Sequence, residues 1–225
     1  MKIEVKSGKL QDCTTKCLIV GIWEGENALP ALLKETDEKM GGALSALFAD
    51  GEISGKKKSV QFIHTFGKVP ARRIMTIGLG RKEELSFEDL RETGARAVKE
   101  ALKAKLTDIV FALDEEAKVL GDYDAAHALL EGALLANYRF PGYHKETEEK
   151  PELEALAILC KSDALEEVKE GARVAEALAR GTNLARDLVN MPGNYLTPTV
   201  LSEKAKEIAE RHGMEVEILD KVDME

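Results

Sequence analysis

Cysteine is scarce in this sequence. Its 225 residues include only Cys13, Cys17 and Cys160. A small, odd number of cysteines argues against a framework of disulfide bonds. Cys13 and Cys17 are close in sequence, but no second pair of Cys or His residues stands at the spacing of zinc ligands. We therefore expect buried or partly buried free thiols in a reducing compartment.

Long apolar runs are also absent. No segment approaches the ~20 consecutive apolar residues that a helix needs to cross a bilayer. Residues 1–6 alternate apolar and charged side chains, and so lack the apolar core of a signal peptide. These absences predict that the protein has no membrane partner and that it is cytoplasmic.

The sequence lacks the common motifs of catalytic and metal-binding sites. The four histidines are His64, His127, His144 and His212, no two of them four residues apart, and no His-Glu-x-x-His motif occurs. The nucleophile motif Gly-x-Ser-x-Gly and the phosphate loop Gly-x-x-x-x-Gly-Lys-Ser/Thr are both missing. We therefore predict no catalytic, cofactor-binding or metal-ligating residue in this chain. His64 lies in a predicted strand, which favours a structural histidine with a hydrogen bond.

The chain carries more negative than positive charge. It has 41 acidic and 32 basic residues, and its net charge is -9. Because an acidic chain repels phosphates, the composition does not favour nucleic acid as a partner. The basic run Lys56–Lys58 follows a Gly-rich turn and is predicted to be a solvated loop. The alternative is a DNA-binding face that this run would form with Arg72 and Arg73, and its binding would depend steeply on salt.

A Gly-Leu-Gly sequence at residues 78–80 follows a predicted strand and precedes a predicted helix, as a dinucleotide-binding loop does. The third glycine of that motif is missing, because Glu83 stands where Gly or Ala is required. A plain turn between strand and helix is the favoured interpretation, and nucleotide binding is the alternative.

Runs typical of strands alternate with helical periodicity along the chain. The predicted strands cover residues 3–5, 17–23, 59–65, 73–77, 108–113, 153–159 and 215–219. The run at 17–23 is continuously apolar, as expected for a strand that is covered on both faces. Alternating strands and helices predict an α/β fold in which helices cover both faces of the sheet.

Signals at helix ends accompany this pattern. The predicted helices cover residues 37–49, 86–105, 124–138, 164–190 and 197–213. An acid three residues after Ser86 predicts a capping box, and Thr197 followed by Pro198 predicts another helix start. Gly41 and Gly42 would each cost the first helix about 1 kcal/mol relative to Ala, so a break or close packing is expected there.

The segment at 183–198 reads Asn-Leu-Ala-Arg-Asp-Leu-Val-Asn-Met-Pro-Gly-Asn-Tyr-Leu-Thr-Pro. It resembles the segment that opens the catalytic domain of the leucyl aminopeptidase (cytosol aminopeptidase) family. Further similar pieces follow the order of that family at residues 18–21, 41–44, 77–84, 138–143 and 170–171. Each piece is a weak signal, but the ordered set, ending in Asn-x-Pro-x-Asn-x-Leu-Thr-Pro, is specific.

The resemblance implies a macro-domain-like α/β domain with a mixed sheet at 1–160, a linking helix at 161–182 and an incomplete start of the catalytic domain at 183–225. For the parent enzyme it implies two divalent metals, zinc, manganese or magnesium. These metals would activate a water molecule and polarise the N-terminal peptide bond of a substrate. It also implies a cytoplasmic hexamer of two trimers, with the catalytic domain and other subunits as partners and peptides as substrates.

The metal-binding motifs of the family, which include Gly-Lys-Gly and Asn-Thr-Asp-Ala-Glu-Gly-Arg, do not occur in residues 1–225. We therefore expect this chain to be inactive alone and to serve assembly or access in a metal-dependent aminopeptidase. Two alternatives are a free-standing macro-like module that binds a nucleotide or ADP-ribose, and a DNA-binding accessory domain. Since the segment 183–225 is too short to bury a core, we expect it to expose apolar side chains.

Overall fold

The computed structural model describes residues 1–113, 119–140, 142, 151–219 and 221–224. Contacts within the chain separate two compact units, Met1–Gly181 and Thr182–Glu225. None of the helices in the described part of the chain combines the length and the apolar character that a membrane span requires.

The first unit is built on a six-stranded sheet. Its strands are β1 (Lys2–Ser7), β2 (Cys17–Trp23), β3 (Val60–His64), β4 (Arg73–Gly80), β5 (Asp108–Ala112) and β6 (Ala155–Cys160). They lie in the order β1-β6-β5-β2-β4-β3. All neighbouring strands are parallel except β3, which runs antiparallel to β4 at one edge. The sheet is therefore mixed.

Strand β2 lies in the interior of this sheet and contributes to two hydrophobic cores. Cys17 and Ile19 belong to one core, whereas Leu18 and Val20 belong to the other. This division follows from the geometry of a strand, in which successive side chains point to opposite faces. The continuous apolar run at 17–23 is thus confirmed as a strand covered on both faces.

Helices cover both faces of the sheet. They are α1 (Lys34–Lys39), α2 (Ala43–Ala49), α3 (Phe87–Lys103), α4 (Asp122–Ala136), α5 (Leu165–Asn190) and α6 (Pro198–His212). Side chains of α3, α4 and α5 enter the core that contains Ile19, and side chains of α2 enter the core that contains Leu18. The predicted fold class, an α/β fold with a mixed sheet between helices, is confirmed.

Glycines allow α3, α4 and α5 to approach one another closely. A Cβ atom at Gly94 in α3 would lie 2.0 Å from the carbonyl oxygen of Leu129, and one at Gly132 in α4 would lie 1.9 Å from that of Arg91. A Cβ atom at Gly171 in α5 would lie 2.3 Å from the carbonyl oxygen of Tyr123. Any side chain at these positions would therefore force the helices apart.

The helix predicted over 37–49 is wrong as a single element, because the structure divides it into α1 and α2. The break that was expected as one explanation of the two glycines is confirmed. Gly41 and Gly42 lie between them with φ of 73° and 81°, in the left-handed region that favours glycine. Asp37 lies inside α1, and its carboxylate accepts hydrogen bonds from the backbone N–H groups of Leu44 at 2.7 Å and Ser45 at 3.2 Å. Asp37 therefore caps α2 across the glycine break.

The predicted starts of α3 and α6 agree with the structure, whereas the helix predicted at 124–138 is α4, which lies two residues earlier at both ends. The Ser86 hydroxyl accepts from the backbone N–H of Asp89, whose carboxylate accepts from the N–H of Ser86, so the capping box is confirmed. The long helix predicted at 164–190 is α5. Thr197 caps α6, with Pro198 in its first turn, and Gly213 ends it with a φ of 65°.

The strand predicted at 215–219 is wrong. Residues 214–219 have no regular secondary structure. An alternating apolar pattern forms a strand only when another strand supplies its hydrogen-bond partners, and no described strand pairs with this segment. The surface loop predicted at 144–151 lies outside the described residues except for Pro151, and the division of the chain at 160 and 182 stays a prediction.

Candidate functional site in the C-terminal segment

The motif at 183–198 forms the last turns of α5, a tight turn, and the start of α6. Within α5, Nη1 of Arg186 donates to Oδ1 of Asn183 at 3.2 Å. After α5, the carbonyl oxygen of Pro192 accepts from the backbone N–H groups of Tyr195 at 2.8 Å and Leu196 at 3.0 Å. The motif thus builds a helix-turn-helix connection from local hydrogen bonds.

Large apolar side chains are exposed in this unit, as predicted. Val189 and Val222 are each 83% exposed. The others that are more than a third exposed are Leu184, Tyr195, Leu201, Met214, Val216, Ile218 and Leu219. Exposed apolar side chains at this density mark a surface that contacts other protein. The candidate functional site is therefore a docking surface formed by these exposed apolar side chains.

Among the residues that the structure describes, no three His, Cys, Asp or Glu side chains come together in a way that could hold a metal ion. The prediction that this chain supplies no catalytic, cofactor-binding or metal-ligating residue stays a prediction.

Cys13, Cys17 and Cys160 form no disulfide bond, as expected. Cys17 and Cys160 are buried, and Cys13 is half-buried. Burial raises the pKa of the Cys17 thiol to about 12, although the charge of Arg73 opposes this shift. Burial also raises the pKa of Cys13. Since the thiolate is the nucleophilic form, both groups are poor nucleophiles at neutral pH.

The histidines occupy different environments. The prediction for His64 needs correction, because this residue is exposed, with its ring centroid 5.9 Å from that of Phe66. A strand at the edge of a sheet leaves such a side chain open to solvent. His212 is exposed, and His144 lies outside the described residues.

The contact between His127 and Glu131 was not predicted from the sequence. Nε2 of His127 lies 3.5 Å from Oε2 of Glu131, and Nη2 of Arg91 lies 3.3 Å from Oε1 of the same carboxylate. The rings of Phe87 and Tyr123 meet His127 edge-on. The contact could have been predicted from the sequence, because side chains four residues apart lie on the same face of a helix. This group connects α3 with α4 and has a structural role.

The Gly-Leu-Gly sequence at 78–80 lies inside β4 and is packed against backbone. A Cβ atom at Gly78 would lie 2.0 Å from the carbonyl oxygen of Lys56. The backbone N–H of Gly80 donates to the carbonyl oxygen of Gly55 at 2.9 Å. Backbone fills the space beside Gly78, so the structure does not favour a nucleotide-binding loop. The plain turn needs correction as well, because residues 78–80 are the last residues of β4.

The basic run Lys56–Lys58 does not form one face with Arg73. The backbone N–H of Lys58 donates to the carbonyl oxygen of Gly78 near the end of β4, whereas Arg73 begins that strand. Five residues of a strand span roughly 17 Å. Lys57 forms an ion pair with Asp89, and Lys58 lies 3.6 Å from Glu92. The basic run is thus partly neutralised, as suits a solvated loop.

Replacing Asp89 with asparagine is expected to destabilise the protein by about 1 kcal/mol at neutral pH. The hydrogen bond from Lys57, with those from Ser86, holds the pKa of Asp89 below its ordinary value of 3.8. A carboxylate whose pKa falls on folding contributes stability above its unfolded pKa and loses it as the pH falls through the folded pKa. The difference between wild type and variant in urea denaturation should therefore vanish in strong acid. Glu83→Gln, an exposed change just before α3, should have no effect at either pH.

Two segments of the chain match two domains of one protein family. The N-terminal domain of the cytosol aminopeptidase family matches residues 19–147, which is more than half of the chain. The catalytic domain of the same family matches residues 183–225. The second match coincides with the segment that carries the helix-turn-helix connection and the exposed apolar side chains.

Individual relatives are similar to this chain over nearly its whole length. A probable cytosol aminopeptidase of Alkaliphilus oremlandii is 33% identical over 230 residues, covering 100% of this chain and 46% of that protein. A probable cytosol aminopeptidase of Bacillus subtilis is 37% identical over 213 residues, covering 94% of this chain and 42% of that protein. The chain therefore spans less than half the length of these relatives.

Solved structures share the fold. A mutant of tomato leucine aminopeptidase superposes with a TM-score of 0.74 at 26% identity, covering 95% of this chain and 43% of that one. The bottromycin maturation enzyme BotP in complex with Mn superposes with a TM-score of 0.59 at 23% identity, covering 89% and 37% of the two chains. At that identity, the second likeness concerns the fold alone.

Proposed function

Because this chain belongs to the cytosol aminopeptidase family, we propose that it is the N-terminal region of a metal-dependent aminopeptidase, with the beginning of its catalytic domain. The parent enzyme removes N-terminal residues from peptides. The observation that carries this proposal is the order of the two family matches, 19–147 followed by 183–225. The division at 160 and 182 is part of the same proposal.

Within the parent enzyme, this region serves assembly and access, and it has no hydrolytic activity alone. Two divalent metals, zinc or manganese and in some cases magnesium, would be held by the remainder of the parent's catalytic domain. Such metals activate water and polarise the scissile carbonyl. The proposal of inactivity is supported by the absence of the Asn-Thr-Asp-Ala-Glu-Gly-Arg motif from residues 1–225.

The partners of this region are its own catalytic domain and the other subunits of a cytoplasmic hexamer. Support comes from the exposed apolar side chains of 183–225, including Val189 and Leu219. Such side chains are stabilised when a protein partner removes them from water. The names of the relatives, which are cytosol aminopeptidases, support the cytoplasmic location.

Binding of ADP-ribose or DNA is not favoured. Gly78 is packed against backbone, Lys57 and Lys58 are paired with acids, and the net charge is -9. Each of these features lowers the affinity for a phosphate group. Titration of the chain with ADP-ribose or with duplex DNA at low salt is expected to show no saturable binding.

An activity assay tests the proposal. The 225-residue chain, incubated with leucine p-nitroanilide and added Mn²⁺ or Zn²⁺, should release no nitroaniline above the rate without protein. A longer protein, expressed from the same reading frame continued past the codon for residue 225, should be active with metal. It should be inactive after the metal is removed by a chelator. Hydrolysis by the shorter chain, or a reading frame without the metal-binding motifs of the family, would contradict the proposal.

A further inference from the structure

The two edges of the sheet differ in charge. At one edge, β1 carries Lys2, Glu4 and Lys6, with Lys2 and Lys6 both forming ion pairs with Glu4. At the other edge, β3 (Val60–His64) contains no Asp, Glu, Lys or Arg. Charged residues on an edge strand prevent its pairing with other chains. The β3 edge therefore lacks the protection that the β1 edge has.

Every second residue of β3 directs its backbone groups away from β4. The carbonyl oxygen of Ser59 accepts from the N–H of Gly78 at 2.9 Å, and the N–H of Thr65 donates to the carbonyl oxygen of Arg72 at 3.3 Å. In an antiparallel pair, residues that exchange hydrogen bonds alternate with residues that do not. The backbone groups of residues 60, 62 and 64 therefore face outward, and no hydrogen bond to them is found from another element of the described chain.

An exposed aromatic residue stands beside this edge. Phe66 is 88% exposed and has a φ of 52°, a left-handed conformation that is costly for a bulky residue. The hydroxyl of Thr65 donates to the carbonyl oxygen of Ala71 at 2.6 Å, and the N–H of Lys68 donates to the carbonyl oxygen of Thr65 at 3.0 Å. These bonds hold the turn, so the ring of Phe66 is presented to solvent rather than folded back onto the protein.

We propose that β3 is a docking edge for a second copy of this chain, which adds its own β3 in antiparallel orientation. A two-fold axis at Phe62 places Val60 opposite the partner's His64 and Phe62 opposite the partner's Phe62. In that register the outward-facing groups of one copy meet those of the other, as a hydrogen-bonded antiparallel pair requires.

The residues that flank β3 are also placed favourably in this antiparallel register. Lys58 and Phe66 lie four residues on either side of Phe62, and both have positive φ. The two-fold axis therefore brings Lys58 near the partner's Phe66, where an ammonium group can lie over an aromatic face. The absence of charge between residues 60 and 64 means that no like charges meet at the axis.

The docked pair is expected to be weak. Strand β3 has five residues, so the paired strands and two aromatic rings bury less than a standard interface of about 1,600 Å². A dissociation constant on the order of 10⁻⁵ M is expected. Pairing of two copies through β3 does not depend on peptidase activity, because only β3 and its flanking residues take part.

Sedimentation of the 225-residue chain over a range of concentrations tests the proposal. His64→Pro removes one outward N–H and leaves the bonds to β4 intact, since proline is tolerated on edge strands. This variant should weaken self-association at least about tenfold with an unchanged thermal unfolding curve. Ser7→Pro is the matched control, because Ser7 is exposed on the other edge strand, and it should associate like the wild type.

Hydrogen exchange supplies a readout of the register. The amides of residues 60, 62 and 64 should exchange slowly at high protein concentration and quickly at low concentration, whereas those of β1 should not change. A chain that stays monomeric at about ten times the expected dissociation constant overturns the proposal. So does a dimer that persists in His64→Pro, or one that protects only amides of 183–225.

Discussion

Replacing Gly132 with alanine is expected to destabilise the protein by about 3 kcal/mol, or to prevent its folding. The new Cβ atom would lie 1.9 Å from the carbonyl oxygen of Arg91. Backbone cannot rotate away as a flexible side chain can, so α4 must move away from α3. That movement opens the core beneath both helices. The higher helix propensity of alanine, about 1 kcal/mol, does not compensate for this loss.

Gly181→Ala is the matched control. Gly181 also lies within a helix, α5, but a Cβ atom there would have no atom within 4 Å. The substitution should therefore stabilise the protein by up to about 1 kcal/mol. Urea denaturation followed by circular dichroism measures both variants. Equal stabilities for the two variants would show that the close approach of α3 and α4 does not restrict the size of the side chain at position 132.

Replacing Asp37 with alanine is the second large effect, with an expected loss of about 2 kcal/mol. The carboxylate of Asp37 is buried and accepts from the backbone N–H groups of Leu44 and Ser45. Alanine would leave these donors at the start of α2 without their acceptor. The loss should appear as earlier urea unfolding of the whole first unit, because Leu44 belongs to its core.

Two further variants distinguish the loss of the hydrogen-bond acceptor at Asp37 from the loss of a negative charge. Asp37→Asn keeps an acceptor oxygen and should lose about half as much stability as the alanine variant. Glu38→Ala changes the neighbouring exposed acid in α1 and should leave the stability unchanged. If Asp37→Asn were as unstable as Asp37→Ala, the negative charge, rather than the acceptor, would be what α2 requires.

Local signals were sufficient for several elements. The apolar run at 17–23 predicted β2 to the residue, because a strand buried on both faces has no polar alternation. Ser86 and Thr197 predicted the starts of α3 and α6, since the capping hydrogen bond joins residues only three apart. The ordered motif at 183–198 predicted the family that the comparisons identify.

Errors arose where the outcome depended on distant residues. The pattern at 215–219 alternates like a strand, but no described strand pairs with it. His127 and Glu131 have helical spacing, yet only the approach of Arg91 from α3 makes the carboxylate a connection between helices. The alternative of a basic face needed Lys58 and Arg73 to be neighbours, and they lie near opposite ends of β4.

The sequence by itself determined the α/β class, the family and the positions of most helices and strands, because periodicity, caps and ordered motifs are properties of neighbouring residues. Only the tertiary structure decided that β3 is an antiparallel edge strand, that Gly94 and Gly132 lie where two helix backbones touch, and that Asp37 caps the helix after its own. These features depend on distances between segments that the chain brings together only on folding. Hydrogen bonds and close contacts act over a few ångströms in space, whatever the separation along the chain.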